Sequence, residues 1–136
     1  MAFEDDSLNG VLTRAALGYL NGSNTPNAAS RLPSSLNSTN PTSAKASAGS
    51  VFNVNGYNSS ATVTYLKFYD KATAPTVGTD VPVLTLAIPA SAVFSYDLDG
   101  FRFATGIAYG LTTAAADNGT TAVAAGAILG LNVVYV

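Results

Sequence analysis

Two aspartates two residues apart, Asp97 and Asp99 in the run Tyr-Asp-Leu-Asp-Gly, are the side chains best placed by type and spacing to do chemistry. On one strand they would share a face roughly 7 Å apart, a separation comparable with those of paired glycosidase carboxylates. Asp before Gly is also ordinary turn chemistry, and the turn is the stronger reading. The same DLDG opens like a calcium loop, but DLDGFRFATGIA lacks the third acidic ligand and the closing Glu. No catalytic residue, metal site or cofactor is therefore expected.

The rest of the inventory points the same way. The chain contains neither Cys nor His. That removes Ser-His-Asp and Cys-His catalysis, zinc and haem sites built on imidazole or thiolate, and the usual general base near neutral pH. Enzymatic activity is not expected. Charged residues make up 10% of the 136, with a net charge of -2, against about 25% in an average soluble domain. With 48% apolar residues, the exterior must be built largely from Ser, Thr, Asn, Ala and Gly. Such a surface offers little electrostatic resistance to association, so a life packed against other chains is expected. A secreted, neutral, lectin-like β-domain is the composition-level alternative.

The six basic residues (Arg14, Arg31, Lys45, Lys67, Lys71, Arg102) form no patch and the pI is about 4.6, so no nucleic-acid partner is expected. The uncharged C-terminal run NGTTAVAAGAILGLNVVYV holds Asn132, three glycines and many β-branched residues without a basic flank. It reads as loop plus buried strand, and no membrane association is expected. MAFEDDS is acidic where a signal peptide needs a basic start. Glycosylation sequons at Asn21, Asn37, Asn58 and Asn118 are what chance supplies in a chain so rich in Asn, Ser and Thr.

The elements that must position these residues fall into two parts. In residues 1–50 an N-terminal arm is expected. Asp5, Asp6 and Ser7 offer N-cap chemistry, Leu8, Val11, Leu12, Ala15 and Tyr19 recur at helical spacing, and Asn21-Gly22 is a stop, which predicts a short helix over 8–20. Residues 21–50 contain three prolines and no Val, Ile, Phe or Tyr. This stretch predicts an extended polar linker, with Leu32 and Leu36 as its plausible anchors on a neighbour. Over 51–136 short strands alternate with turn signals: VFNVN ending at Asn55-Gly56, TVTYLKFY with large groups on both faces, Val81 to Ile88, AVFSYDL ending at Asp99-Gly100, and AILGLNVVYV. The fold class expected is all-β, a β-sandwich or jelly roll over 51–136.

One strand is expected over FRFATGIAYGLTT, residues 101–113. Phe101, Phe103, Ile107, Tyr109 and Leu111 share its odd face, whereas Ala104, Gly106, Ala108 and Gly110 leave its even face nearly bare. A bare face lets another backbone come close. Ala104, Gly106, Ala108 and Gly110, with Leu32 and Leu36, are the candidate oligomer or capsid interface, the chain's own arm or second sheet being the other possible cover.

Two stretches carry a family likeness. YLKFYDKATAPTVGTDVPVLTLAIPA (65–90) and GFRFATGIAYGLTTAAADNGTTAVAAGAILGLNVVY (100–135) resemble a motif series in small virion structural proteins of tailed bacteriophages. The resemblance implies a virion location on the capsid surface and a capsid decoration, or cement, protein that binds the outside of the head and stabilises contacts between capsomers. It also implies the major capsid protein as partner and a homo-oligomer, a trimer before a dimer. A tail-fibre or tail-tip module binding host surface glycan is the alternative. No catalytic residues are carried over.

Overall fold

The computed structural model describes residues 27–136; the helix expected over 8–20 lies outside them. Eight strands follow in order: β1 (Ala28–Ser34), β2 (Thr42–Lys45), β3 (Gly49–Asn58), β4 (Thr64–Asp70), β5 (Leu84–Ile88), β6 (Ala92–Phe103), β7 (Ile107–Thr112) and β8 (Ile128–Tyr135). They form two four-stranded sheets in the orders β1-β8-β3-β6 and β2-β7-β4-β5, every pairing antiparallel. This is the strand order of a jelly roll, in which successive strands cross between two packed sheets. The all-β sandwich read from the sequence is what the chain forms.

The core lies between the sheets. Val51, Val54, Leu131 and Val133 come from the first sheet, Leu66, Phe68, Tyr109 and Leu111 from the second, all at most 1% exposed. Phe68 sits at its centre, its ring centroid 5.8 Å from Phe103 and 6.1 Å from Tyr109 in tilted pairs. Tyr135 on β8 donates its hydroxyl to the Ala44 carbonyl on β2 (2.9 Å), tying the sheets at one corner.

The largest departure from expectation concerns residues 21–50. From Ala28 onward this stretch is not a linker but supplies β1 and β2, so the domain boundary placed at 50/51 falls inside the sandwich. The lack of large apolar residues misled because edge strands do not need them. β1 pairs its whole length with β8, with Leu32 opposite Leu131, and Leu32 packs against the core while Arg31 faces out. Polar side chains then close the β1–β2 connection. Ser35 is buried; its hydroxyl donates to the Ala124 carbonyl (2.8 Å) and accepts from the Ile128 amide (3.0 Å), and its backbone pairs with Gly126 and Ile128. Asn40, at φ +47, accepts from the Leu36 amide and donates to the Leu36 and Ser38 carbonyls. Hydrogen bonds do here what apolar burial does elsewhere.

Two turn signals and one expected strand also resolve differently. Asn55-Gly56 does not end a strand: β3 continues to Asn58, and Gly56 makes room for the Phe94 ring, which a Cβ would approach to 2.8 Å. Asp99-Gly100 lies within β6 as a bulge, both residues at positive φ (50° and 82°), between the pairings of Asn53 with Asp97 and Val51 with Phe101. FRFATGIAYGLTT is two strands, because Ala104 to Gly106 turn the chain between the end of β6 and the start of β7.

If the β1–β2 region is integral, Ser35→Ala should destabilise the domain by about 1–3 kcal/mol by stranding the buried Ile128 amide. Urea denaturation followed by tyrosine fluorescence measures this; an unchanged midpoint would mean the segment is only loosely attached.

Candidate interaction surfaces

The two sheets present very different outer faces. That of β2-β7-β4-β5 is roofed by the protein itself over its central strands β7 and β4, while Ser43, Thr85 and Ala87 on the edge strands stay exposed. Ala108 is fully buried, and Gly106 and Gly110 with it. A Cβ on Gly106 would stand 2.6 to 2.8 Å from backbone atoms of Lys71, Ala72 and Lys45, and one on Gly110 would stand 2.6 Å from the Val77 side chain and 3.3 Å from the Thr39 carbonyl. The bare face is filled by the β4–β5 connection, residues 71–83. The proposed interface at Gly106, Ala108 and Gly110 is therefore corrected: these residues contact their own chain and are closed to another. The reason is local, since only Gly and Ala let a loop lie directly on a strand. Ala104 and Leu36 are exposed and Leu32 is half-buried, so the six do not form one surface.

The roof is built largely from one run of the β4–β5 connection, residues 71–80. KATAPTVGTD closes on itself: the Lys71 ammonium lies 2.7 Å from the Asp80 carboxylate, which also accepts from the Thr76 amide at 2.7 Å. Pro75 is buried and Val77 covers Gly110. Gly78, at φ +91, lies against Thr120 and Asn118, so this loop meets the β7–β8 loop (residues 113–127). The turn residues Ala104, Thr105 and Gly106 wrap their three amides around the Asp70 carboxylate at 2.7 to 3.2 Å. Those donors hold Asp70 below the usual carboxylate range, and the Lys71 and Thr76 bonds do the same for Asp80.

Under the roof lie two ionisable groups that sequence reading took only as strand residues. Lys67 on β4 is wholly buried and donates to the Ala116 carbonyl. Burial lowers its pKa, partly offset by Asp117. Tyr69 is 1% exposed and its hydroxyl has no partner among the described residues; burial, then Asp80 and Asp117, raise its pKa. The large residues seen on both faces of TVTYLKFY thus match a strand covered on both sides.

The outer face of β1-β8-β3-β6 is open, and it carries a feature the sequence reading missed. Asn132 donates to Asn55 (3.0 Å), Asn55 to Asn53 (2.7 Å), and Asn53 to Asp97 (2.8 Å) and Ser95 (3.2 Å). A carboxylate only accepts, so Asp97 fixes the orientation of every carboxamide behind it. Asp97 therefore anchors a polar ladder across three strands and does not pair with Asp99, which sits in the bulge. Tyr57 and Val93, directly opposed and 40% and 80% exposed, add an apolar end to this face. Asn53 and Asn55 two apart on one strand, with Ser95 and Asp97 two apart on another, were the available signal; recognising it required the pairing of the strands. Among the described residues no group of three or more potential metal ligands occurs.

Neither a protein-family model, nor a curated protein, nor a solved structure matches this chain.

Ala108→Lys should abolish folding, because it forces a charge beneath the roof, whereas Ala104→Lys should leave the circular dichroism spectrum intact. Both spectra folded would place the roof off the strand. The acid limb of stability follows from the depressed carboxylates. Their folded pKa values lie below the ordinary 3.8, so the stability they contribute is full above that value and is lost as pH falls through the folded values. Asp70→Asn should flatten the dependence of the unfolding midpoint on pH below about 4, measured by thermal scans at several pH values.

Proposed function

We propose that this protein is a virion structural protein, a capsid decoration protein that binds the outside of the head as a symmetric oligomer, a trimer before a dimer. The observation that carries the reading is the contrast between the two faces. The two central strands of one sheet are sealed by the chain's own loops; the other sheet offers a surface whose carboxamides are already held in place by one another. Preorganised polar groups and a Tyr57–Val93 pair suit a flat protein partner, because little side-chain freedom is lost on contact.

The resemblance to phage virion proteins supports the same reading from another side. Its key words fall on residues that build the roof and the β6–β7 turn, a structural unit, which fits a family defined by a scaffold. The low charge is consistent with a surface that works among many neighbours. On a capsid each contact repeats around the oligomer and over the lattice, so modest single contacts accumulate into firm attachment. The partner is then the major capsid protein.

Antibody labelling of parent particles under electron microscopy tests the location: label on the head is expected, and label confined to the tail would replace this reading with that of a fibre module. Within the head reading, Val93→Asp should leave the isolated domain folded and lower its occupancy on particles, measured by gel densitometry of purified virions. Full occupancy would remove the open face from the interface.

A further inference from the structure

The ends of the sandwich differ as much as its faces. The connections 35–41, 59–63, 89–91 and 113–127 gather at one end, and Asp117 is the one charged residue among them. Asp70, Lys71, Asp80 and Arg102 all lie at or beside the connections of the opposite end. In the end that carries Asp117 alone is a cleft of about 210 Å3 lined by Ser60, Thr62, Thr64 and Thr113 with Ala122 to Ala124 and Ala127. Nothing in that lining ionises.

One hydroxyl of this cleft is unusual in being both buried and unpaired among the described residues. Ser60 is committed, donating within the turn to Asn58 and to the Thr62 carbonyl. Thr64 is fully buried at the start of β4, and its Oγ1 has no hydrogen-bond partner among the described residues. Around it the structure spends hydroxyls readily: Thr112, Ser59 and Ser35 all bond nearby carbonyls. A buried hydroxyl without a partner is rare and costly, and one beside a cleft points to a group that enters it.

We propose that this cleft binds a neutral, hydroxyl-bearing ring, a single sugar unit of a neutral carbohydrate. The lining decides the class. An anion would need a cation or converging amides, and a cation would need carboxylates; the cleft has hydroxyls and methyl groups. A sugar ring presents hydroxyls at its rim and C–H groups on its face, which match Thr62, Thr64 and Thr113 on one hand and the alanines and Val123 on the other. The volume is below the roughly 300–1,000 Å3 of pockets that enclose drug-sized ligands, so one ring fits and a longer chain would project outward. This goes beyond the decoration reading and does not rest on it, since a site at this end is separate from the open sheet face.

The test is a titration of the 15N-labelled protein with D-glucose, D-galactose, D-mannose and N-acetyl-D-glucosamine, with D-glucuronate and glycerol as controls. Saturable amide shifts confined to residues around 60–64, 113 and 122–127 are expected for at least one neutral sugar. Thr64→Val, which keeps the shape and removes the hydroxyl, should weaken that binding about five- to tenfold, and Thr64→Ser should restore most of it. Thr62→Val, at an exposed position, gives a second reading if the Thr64 variants are unstable. The proposal is overturned if no sugar produces saturable shifts, if glycerol or glucuronate gives the same shifts as the sugars, or if Thr62→Val and Thr64→Val bind as the parent does. Labelling of virions is unaffected by any of these outcomes, so this proposal and the capsid reading fail separately.

Discussion

The close approach of the β4–β5 loop to β7 is the contact on which the rest of the molecule depends. Ala108 and the glycines at 106 and 110 remove the side chains that would hold the loop away, and Val77 and Pro75 then settle directly on the strand. With the loop in place, the outer face of its sheet becomes a second, smaller interior. Lys67 and Tyr69, which would otherwise extend into water, are enclosed there. Packing a strand on both faces usually calls for a third layer of secondary structure; here two irregular loops provide it.

Loops can act as a layer only if their own polar groups are satisfied, and the carboxylates accomplish this. Asp70 gathers the three amides of the β6–β7 turn, while Asp80 gathers the Lys71 ammonium and the Thr76 amide. Each acid is held ionised by the groups it organises. Few as they are, several of the charges thus serve to shape connections at one end of the sandwich. The connections of the other end carry Asp117 alone, and there hydrogen bonds from uncharged groups do the closing: Ser35, Asn40 and Asn58 each join backbone from separate segments or shape a turn. Asn58 is itself wholly buried, so the sequon that begins there is internal.

This division gives the molecule a polarity that its composition alone hides. One face is sealed over its central strands and one is open; one end is charged and the other holds a hydroxyl-lined cleft. On the open face, Asp97 sets the direction of a carboxamide chain that runs through Asn53 and Asn55 to Asn132. The low charge that suggested an associative surface is thus accompanied by a specific arrangement of neutral groups, with both a flat platform and a concave site among them.

What the sequence determined by itself was the class of fold and the strands whose two faces differ in kind: the period-two pattern of β4, β6 and β8 and the large residues on both sides of TVTYLKFY were legible because alternation is a local property of an extended chain. The bareness of the β7 face was equally legible, but not its cover. Which chain fills a gap depends on where a loop roughly 110 Å of contour away is led back, and only the tertiary structure decided that. The same holds for β1 and β2, whose Ser-rich residues look unable to build a core and in fact complete one, because β8 and β7 offer them paired backbone. It holds for Asp97 too, whose partner is 44 residues distant in the chain. Local pattern records what a residue can turn toward the interior; pairing between distant strands decides what it meets there.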